Sequence, residues 1–190
     1  MESGFIAETL IIGKRKKGAL LRLVDEYSIF YLKWFQQIKN NRAHINPNYW
    51  NILYNSPTWK SWSGYAFESI CQNHIHQIAY ALGISGIMYS YSSWSNYTRN
   101  ENQKKVQIDL VVDRSDDCIN LCEIKFHNQE FVISPDYADN LLHKKQMFVE
   151  ATKTKKTVFL TMITCFGTKE NSQYLETIDN QLTINDLFSK

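Results

Sequence analysis

The chain has 190 residues, 44% of them hydrophobic, and a formal net charge of +2. This length supports one substantial core and a small appendage, and the near-neutral charge excludes an overall field that would by itself attract a polyanion. The four cysteines form no CxxC pair, and the sequence shows neither a signal peptide nor an apolar run of transmembrane length. We therefore expect a reduced, cytoplasmic protein with no membrane partner.

The first predicted elements form a small N-terminal region. Residues 3 to 24 alternate apolar and polar side chains around the basic turn GKRKKG, a pattern typical of the two strands of a wing. Asp25 to Ile38 predicts a helix with an aromatic stripe, which we interpret as core or interface rather than as a base-stacking platform. The stretch from Asn40 to Ser63 has two prolines and three tryptophans and is predicted to be a turn-rich connector.

The next predicted helix carries a glutamate. It runs from Ser63 to Leu82, and Glu68 continues its otherwise apolar stripe, which favours a functional role. A helix cap or an ion pair with Lys125 is the alternative reading of this glutamate. A strand near Ile87 to Trp94 and a polar hairpin from Asn96 to Lys105 follow.

Two predicted strands carry charged residues among apolar neighbours. In Val106 to Asp113 a period of two places Asp109 within an apolar strand, and in Ile119 to Phe126 it places Glu123 and Lys125 on one face. Such charges are rarely buried unless they are paired or bind a metal. A divalent-metal site is one explanation, and structural ion pairs within an α/β domain are another.

The carboxylates determine which metal is expected. Asp109 and Glu123 offer hard oxygen ligands that suit Mg²⁺ or Mn²⁺, and the main-chain carbonyl of Ile124 and the side chain of Glu68 would add to the shell. Lys125 would position the attacking water or neutralise the phosphate. These residue types predict hydrolysis of a phosphodiester.

The last predicted elements complete an α/β succession of helices and strands. Ser134 and Pro135 predict a helix start, with serine as the N-cap and proline at the first helical position. Thr157 to Thr164 predicts an internal strand. A short strand from Leu182 to Ile184 and a helical turn from Asn185 to Ser189 end the chain.

The residues quoted above resemble the PD-(D/E)XK nuclease superfamily, with Ile108 in place of the proline. The resemblance implies an α/β, restriction-endonuclease-like fold with an α-β-β-β-α-β core and a mixed sheet. It also implies a Mg²⁺-dependent deoxyribonuclease with Glu68, Asp109, Glu123 and Lys125 as its site and DNA as its partner. The helix that starts at Pro135 carries four candidate substrate contacts, which are His143, Lys144, Lys145 and Gln146. The alternative is that these residues form an ordinary solvated face.

A second resemblance covers more of the chain. The segment ESGFIAETLIIGKRKKGALLRLVDEYSIFYLKWF, together with GYAFES, looks like the C-terminal part of archaeal-type AAA+ ATPases with a DUF234 tail. This implies a winged-helix remnant and connecting helix at 1–40, a Trp-rich connector at 41–62 and a nuclease-like domain at 63–190. No GxxxxGK[ST] motif is present, so we expect the ATPase motor to be absent or encoded elsewhere, acting in cis or in trans. The alternative function is a non-catalytic DNA-binding or docking module for such an ATPase.

Overall fold

The computed structural model forms two compact units. The first comprises Met1–Leu10 and Lys14–Asn73, and the second comprises Ile11–Gly13 and His74–Lys190. The residues that the structure describes are 5–9, 20–36, 38, 46–96 and 106–188. The basic turn GKRKKG and most of the predicted hairpin from Asn96 to Lys105 lie outside them. The boundaries of the three predicted domains stay predictions.

The first unit opens with two strands. Strands β1 (Ile6–Thr9) and β2 (Leu20–Leu23) pair antiparallel, as the alternating pattern predicts. Helix α1 (Glu26–Phe30) continues into a π-helical turn at Tyr31–Phe35. The predicted helix start is confirmed, because the Asp25 side chain caps α1 by accepting the Ser28 N–H at 2.7 Å. The interpretation of the strands as a winged-helix remnant stays a prediction.

The predicted connector is helical over much of its length. Instead of turns, the structure has α2 (Tyr49–Tyr54) and α3 (Pro57–Asn73). The turn prediction is wrong here because Pro57 starts a helix: the Ser56 hydroxyl accepts the Trp59 N–H at 3.1 Å, as an N-cap does. The predicted single helix from Ser63 to Leu82 is also wrong, since α3 ends at Asn73 and α4 (Ile75–Ala81) follows, without a glycine or proline at the break.

Aromatic side chains form the interior of the first unit. Trp34, on the predicted stripe, is only 3% exposed, and its ring centroid lies 5.4 Å from that of Trp59 and 5.7 Å from that of Trp62. Phe30 stacks on Trp50 at 6.0 Å. This packing confirms the core interpretation for Trp34, whereas Tyr27 of the same stripe is 71% exposed and Phe35 is 40% exposed.

The second unit contains a five-stranded mixed sheet in the order β3-β4-β5-β6-β7. Strands β3, β4 and β5 pair antiparallel, whereas β5, β6 and β7 pair parallel. With the helix between β5 and β6, this order confirms the α/β class and contains the β-β-β-α-β part of the predicted core. The elements are β3 (Tyr89–Asn96), β4 (Val106–Arg114), β5 (Cys118–Lys125), α5 (Pro135–Thr152), β6 (Thr157–Thr164), α6 (Ser172–Thr177), β7 (Asn180–Thr183) and a 3-10 turn (Ile184–Leu187).

Most predicted elements of this unit are confirmed within two residues. The exception is α6, which the sequence reading missed because its six residues are too few to show a helical period. Its N-cap is nevertheless of the expected type, since the Asn171 side chain accepts the Tyr174 N–H at 2.9 Å.

Helix α5 packs against the sheet and contributes to the core of the second unit. Ser134 caps it by accepting the Tyr137 N–H at 3.3 Å, with Pro135 in the first turn as predicted. Its Leu141 and Phe148 belong to the same buried cluster as Leu121 of β5 and other apolar residues of the sheet. Because α5 covers the face of β5 that carries Leu121, the side chains at 123 and 125, which share that face, also project towards this helix.

None of the helices in the described part of the chain has the length and apolar composition needed to cross a membrane.

Candidate active site

Two acidic residues become neighbours because β4 and β5 are antiparallel. Leu110 pairs with Cys122, and the next residue on each strand is Asp109 on β4 and Glu123 on β5. The Asp109 carboxylate also accepts the backbone N–H of Ile124 through Oδ2 at 3.1 Å. The aspartate is therefore fixed against β5 by a main-chain donor.

Glu123 lies at the centre of the cluster. Its side chain is only 6% exposed. Its Oε1 accepts a hydrogen bond from the Tyr137 hydroxyl at 2.9 Å and lies 3.2 Å from the Lys125 ammonium. Its Oε2 lies 2.6 Å from the Lys144 ammonium. Two cations and one neutral donor thus compensate one buried carboxylate, which would otherwise be costly to bury.

The electrostatics of Asp109 follow from this crowding. Burial raises the pKa of its carboxyl above the usual range, and the negative charge of Glu123 raises it further. The Ile124 N–H and the ammonium groups of Lys144 and Lys125 act in the opposite direction but do not cancel the effect. An additional positive charge at this point would favour the ionised form of Asp109.

Tyr137 links the helix to the site. Burial raises the pKa of its hydroxyl, and the neighbouring Glu123 raises it further, so the group stays protonated and serves as a donor. The Lys125 ammonium lies 5.8 Å from the centre of the Tyr137 ring, within the range of a cation–π contact. Tyr137 therefore touches both charged residues of β5.

The sequence reading does not identify Tyr137 as a site residue. It also does not identify the contact between Lys144 and Glu123. A signal was present: Tyr137, Leu141, Lys144 and Phe148 are spaced by four, three and four residues, which places them on one face of a helix. Polar residues that alternate with apolar ones on a helix face covering a charged strand indicate partners for those charges.

The four candidate substrate contacts on α5 lie in different surroundings. Lys144 is directed at Glu123 and is 18% exposed. The Lys145 ammonium lies 3.9 Å from Oδ2 of Asp179, and exposed Gln146 donates to Glu150 at 2.8 Å. Exposed His143 adds no contact that bears on the cluster. Their role in binding substrate stays a prediction.

The two remaining predicted ligands are the side chain of Glu68 and the main-chain carbonyl of Ile124. Glu68 lies on α3 in the first unit, where its side chain is half-buried. The cluster described above is built by β4, β5 and α5 of the second unit. The contribution of Glu68, and that of the Ile124 carbonyl, stays a prediction.

A small cavity of about 10 Å³ adjoins the ion pairs. This is the room that about one water molecule needs. Apart from Glu123 and Lys144, the residues around it are Ile108, Leu121, Cys122, Leu141 and Leu160. The apolar walls keep the surroundings of the carboxylate low in dielectric constant, which strengthens its interaction with cations.

A family model matches most of the region that contains these residues. It covers residues 34–138, more than half of the chain, and describes "Archaea bacterial proteins of unknown function". The chain belongs to the DUF234 family. This confirms the DUF234 resemblance. The matched region includes Asp109, Glu123, Lys125 and Tyr137, while Lys144 lies beyond it.

Other comparisons add little to the DUF234 assignment. The solved structure titled "Crystal Structure of Protein of Unknown Function AF1548" is similar, with 21% sequence identity and a TM-score of 0.38. The match covers 62% of this chain and spans 64% of the length of AF1548. No curated protein matches the sequence.

Proposed function

We propose that this DUF234 protein is a metal-dependent DNA phosphodiester hydrolase of the PD-(D/E)XK type. One observation carries the proposal: Asp109 and Glu123 directly adjoin the last paired residues of two neighbouring strands, and Lys125, two residues further along β5, contacts Glu123. The β-β-β-α-β order around them is the order that the resemblance implies.

The donor atoms fit a hard divalent cation. Among the described residues no group of three or more His, Cys, Asp or Glu side chains is placed to hold a metal ion. Mg²⁺, however, is commonly bound by only one or two carboxylates and takes its other ligands from water and substrate phosphates. Asp109 and Glu123 supply two such carboxylates, and because burial and the charge of Glu123 raise the pKa of Asp109, a bound cation would favour its ionised form.

Each residue has a role in this proposal. A divalent cation held by Asp109 and Glu123 would lower the pKa of a bound water and polarise a phosphoryl oxygen. Lys125 is 39% exposed and lies 3.2 Å from Glu123, and its proposed role is to neutralise charge that develops during hydrolysis. Tyr137 orients Glu123 through its hydrogen bond. Glu68 and the Ile124 carbonyl are further proposed ligands.

Cleavage of DNA with Mg²⁺ or Mn²⁺ tests the proposal. The protein is incubated with single-stranded, double-stranded and branched DNA, with and without EDTA. We expect metal-dependent cleavage that Lys125→Ala lowers by about 100-fold or more, because a cation near developing phosphate charge has an effect of this size. Lys156→Ala is the matched control, since Lys156 pairs with Asp113 at the other end of β4. Equal cleavage by Lys125→Ala and wild type would reveal a contaminating nuclease.

A specific observation favours a second candidate function. Both oxygens of Glu123 already have protein partners, as in a structural ion cluster. A non-catalytic domain that docks on an AAA+ ATPase, or holds DNA for it, would need this ion cluster only for stability and would need no metal. Folded wild-type protein that binds DNA or an ATPase, cuts none of the three substrates and binds no divalent metal would favour this candidate.

A further inference from the structure

Lys144 pairs with one oxygen of Glu123, the carboxylate that is proposed to bind a divalent cation. Its ammonium lies 2.6 Å from Oε2, while Lys125 and Tyr137 contact Oε1. An ammonium and a divalent cation repel each other strongly at such distances. A metal ion that binds Glu123 would therefore have to displace at least one of the two ammonium groups.

The structure indicates which partner leaves. Tyr137 is a neutral donor whose ring packs edge-on against Phe131 at 5.3 Å, so it is compatible with a metal ion and held in place. Lys125 is on the same strand as Glu123 and is proposed to face the phosphate in any case. Lys144 reaches Glu123 from a different element, α5, by a flexible four-carbon stem, so its ammonium can move while β5 stays in place.

An ammonium released from Glu123 needs another anion. A phosphate of a nucleic-acid backbone would supply one, because lysine binds phosphate as a mobile point charge. Lys145 is adjacent on α5, which adds positive charge to this part of the helix. The same movement that frees Glu123 for the metal would thus bring Lys144 to the substrate.

We infer that Lys144 is an exchangeable counter-cation of this site. It neutralises Glu123 in the free protein and moves to a backbone phosphate when nucleic acid binds, so that metal and nucleic acid bind cooperatively. The inference rests on the proposed metal-dependent function. It adds that nucleic acid regulates metal binding, because the site has a low affinity for metal when nucleic acid is absent. Linkage requires the effect to be reciprocal, so metal must raise the affinity for nucleic acid by the same factor.

The test measures binding rather than cleavage. Mn²⁺ affinity of the full chain is determined by calorimetry, with and without a phosphorothioate DNA oligonucleotide, which keeps the backbone charge and resists hydrolysis. Mn²⁺ binding by the oligonucleotide alone is subtracted. We expect the oligonucleotide to tighten Mn²⁺ binding by wild type about tenfold, and Mn²⁺ to tighten oligonucleotide binding equally.

Variants separate Lys144 from its neighbours. Lys144→Met keeps an apolar stem and removes the ammonium, so it should bind Mn²⁺ about tenfold more tightly without DNA and show coupling below about twofold. Lys144→Arg keeps the positive charge and should retain the coupling. Lys156→Met is the matched control, because Lys156 pairs with Asp113 rather than Glu123, and it should behave as wild type. Circular dichroism verifies that each variant is folded.

The outcomes are distinguishable even if Lys144→Met fails to fold. Wild-type Mn²⁺ affinity that is unchanged by the oligonucleotide overturns the inference but leaves the proposed nuclease intact. Coupling that survives in Lys144→Met also overturns it. If wild type binds no Mn²⁺ under either condition, the proposed function fails together with the inference.

Discussion

Asp109→Asn is expected to lower metal-dependent DNA cleavage by at least about 100-fold while leaving the protein folded. Asparagine keeps an oxygen that can accept the Ile124 N–H, so the backbone contact of 3.1 Å survives, but the anionic ligand is lost. Because burial and Glu123 raise the pKa of Asp109, its ionised form is disfavoured in the folded protein. Removing the charge should therefore not reduce the free energy of unfolding. Cleavage rates and urea denaturation, measured on the same preparation, check both parts.

The control for this prediction lies on the same strand. Asp113 is four residues along β4 and pairs with Lys156 at 2.6 Å, on the order of 13 Å from Asp109 at the rise of an extended strand. Asp113→Asn should cut DNA at the wild-type rate. Loss of cleavage in both variants would mean that the carboxylates of β4 act through stability or general charge rather than as ligands, and the assignment of Asp109 would be wrong.

The second large effect concerns stability. Glu123→Ala should lower the free energy of unfolding by about 3 kcal/mol, because it leaves the Lys144 ammonium without its partner in a mostly buried position. The more exposed Lys125 can turn to solvent and adds less to the loss. Urea denaturation at neutral pH, in the absence of divalent metal, measures the change.

A double variant distinguishes the charge effect from a packing effect. Replacing both partners, as Glu123→Leu with Lys144→Met, removes the unpaired charge and fills the volume with apolar groups, so most of the lost stability should return. If Glu123→Ala costs less than about 1 kcal/mol, the cluster is not a buried ion network of the kind described.

The strand residues of the site were predictable because strand geometry is local. A period of two is enough to put Glu123 and Lys125 on one face, and an antiparallel neighbour then brings Asp109 beside them. The contacts of Tyr137 and Lys144 were not predictable in the same way. Their spacing gives a face of α5, but the packing of that helix on the sheet decides which strand residues this face meets.

The first unit shows the limits of composition as a guide. Tryptophan and proline between residues 40 and 63 suggested turns, yet Pro57 starts α3 and the aromatic residues pack between helices. The break at His74 has no local signal, since neither glycine nor proline stands there. Tertiary packing outweighs propensity at such positions.

Mn²⁺ binding by the wild-type chain and by Asp109→Ala, measured by calorimetry in the presence of the phosphorothioate oligonucleotide, tests the central claim most directly. We expect wild type to bind Mn²⁺ and Asp109→Ala to bind it at least about tenfold more weakly, since a ligand carboxylate is lost. The same Mn²⁺ affinity in both proteins would contradict the assignment of Asp109 as a ligand and, with it, the proposed nuclease site.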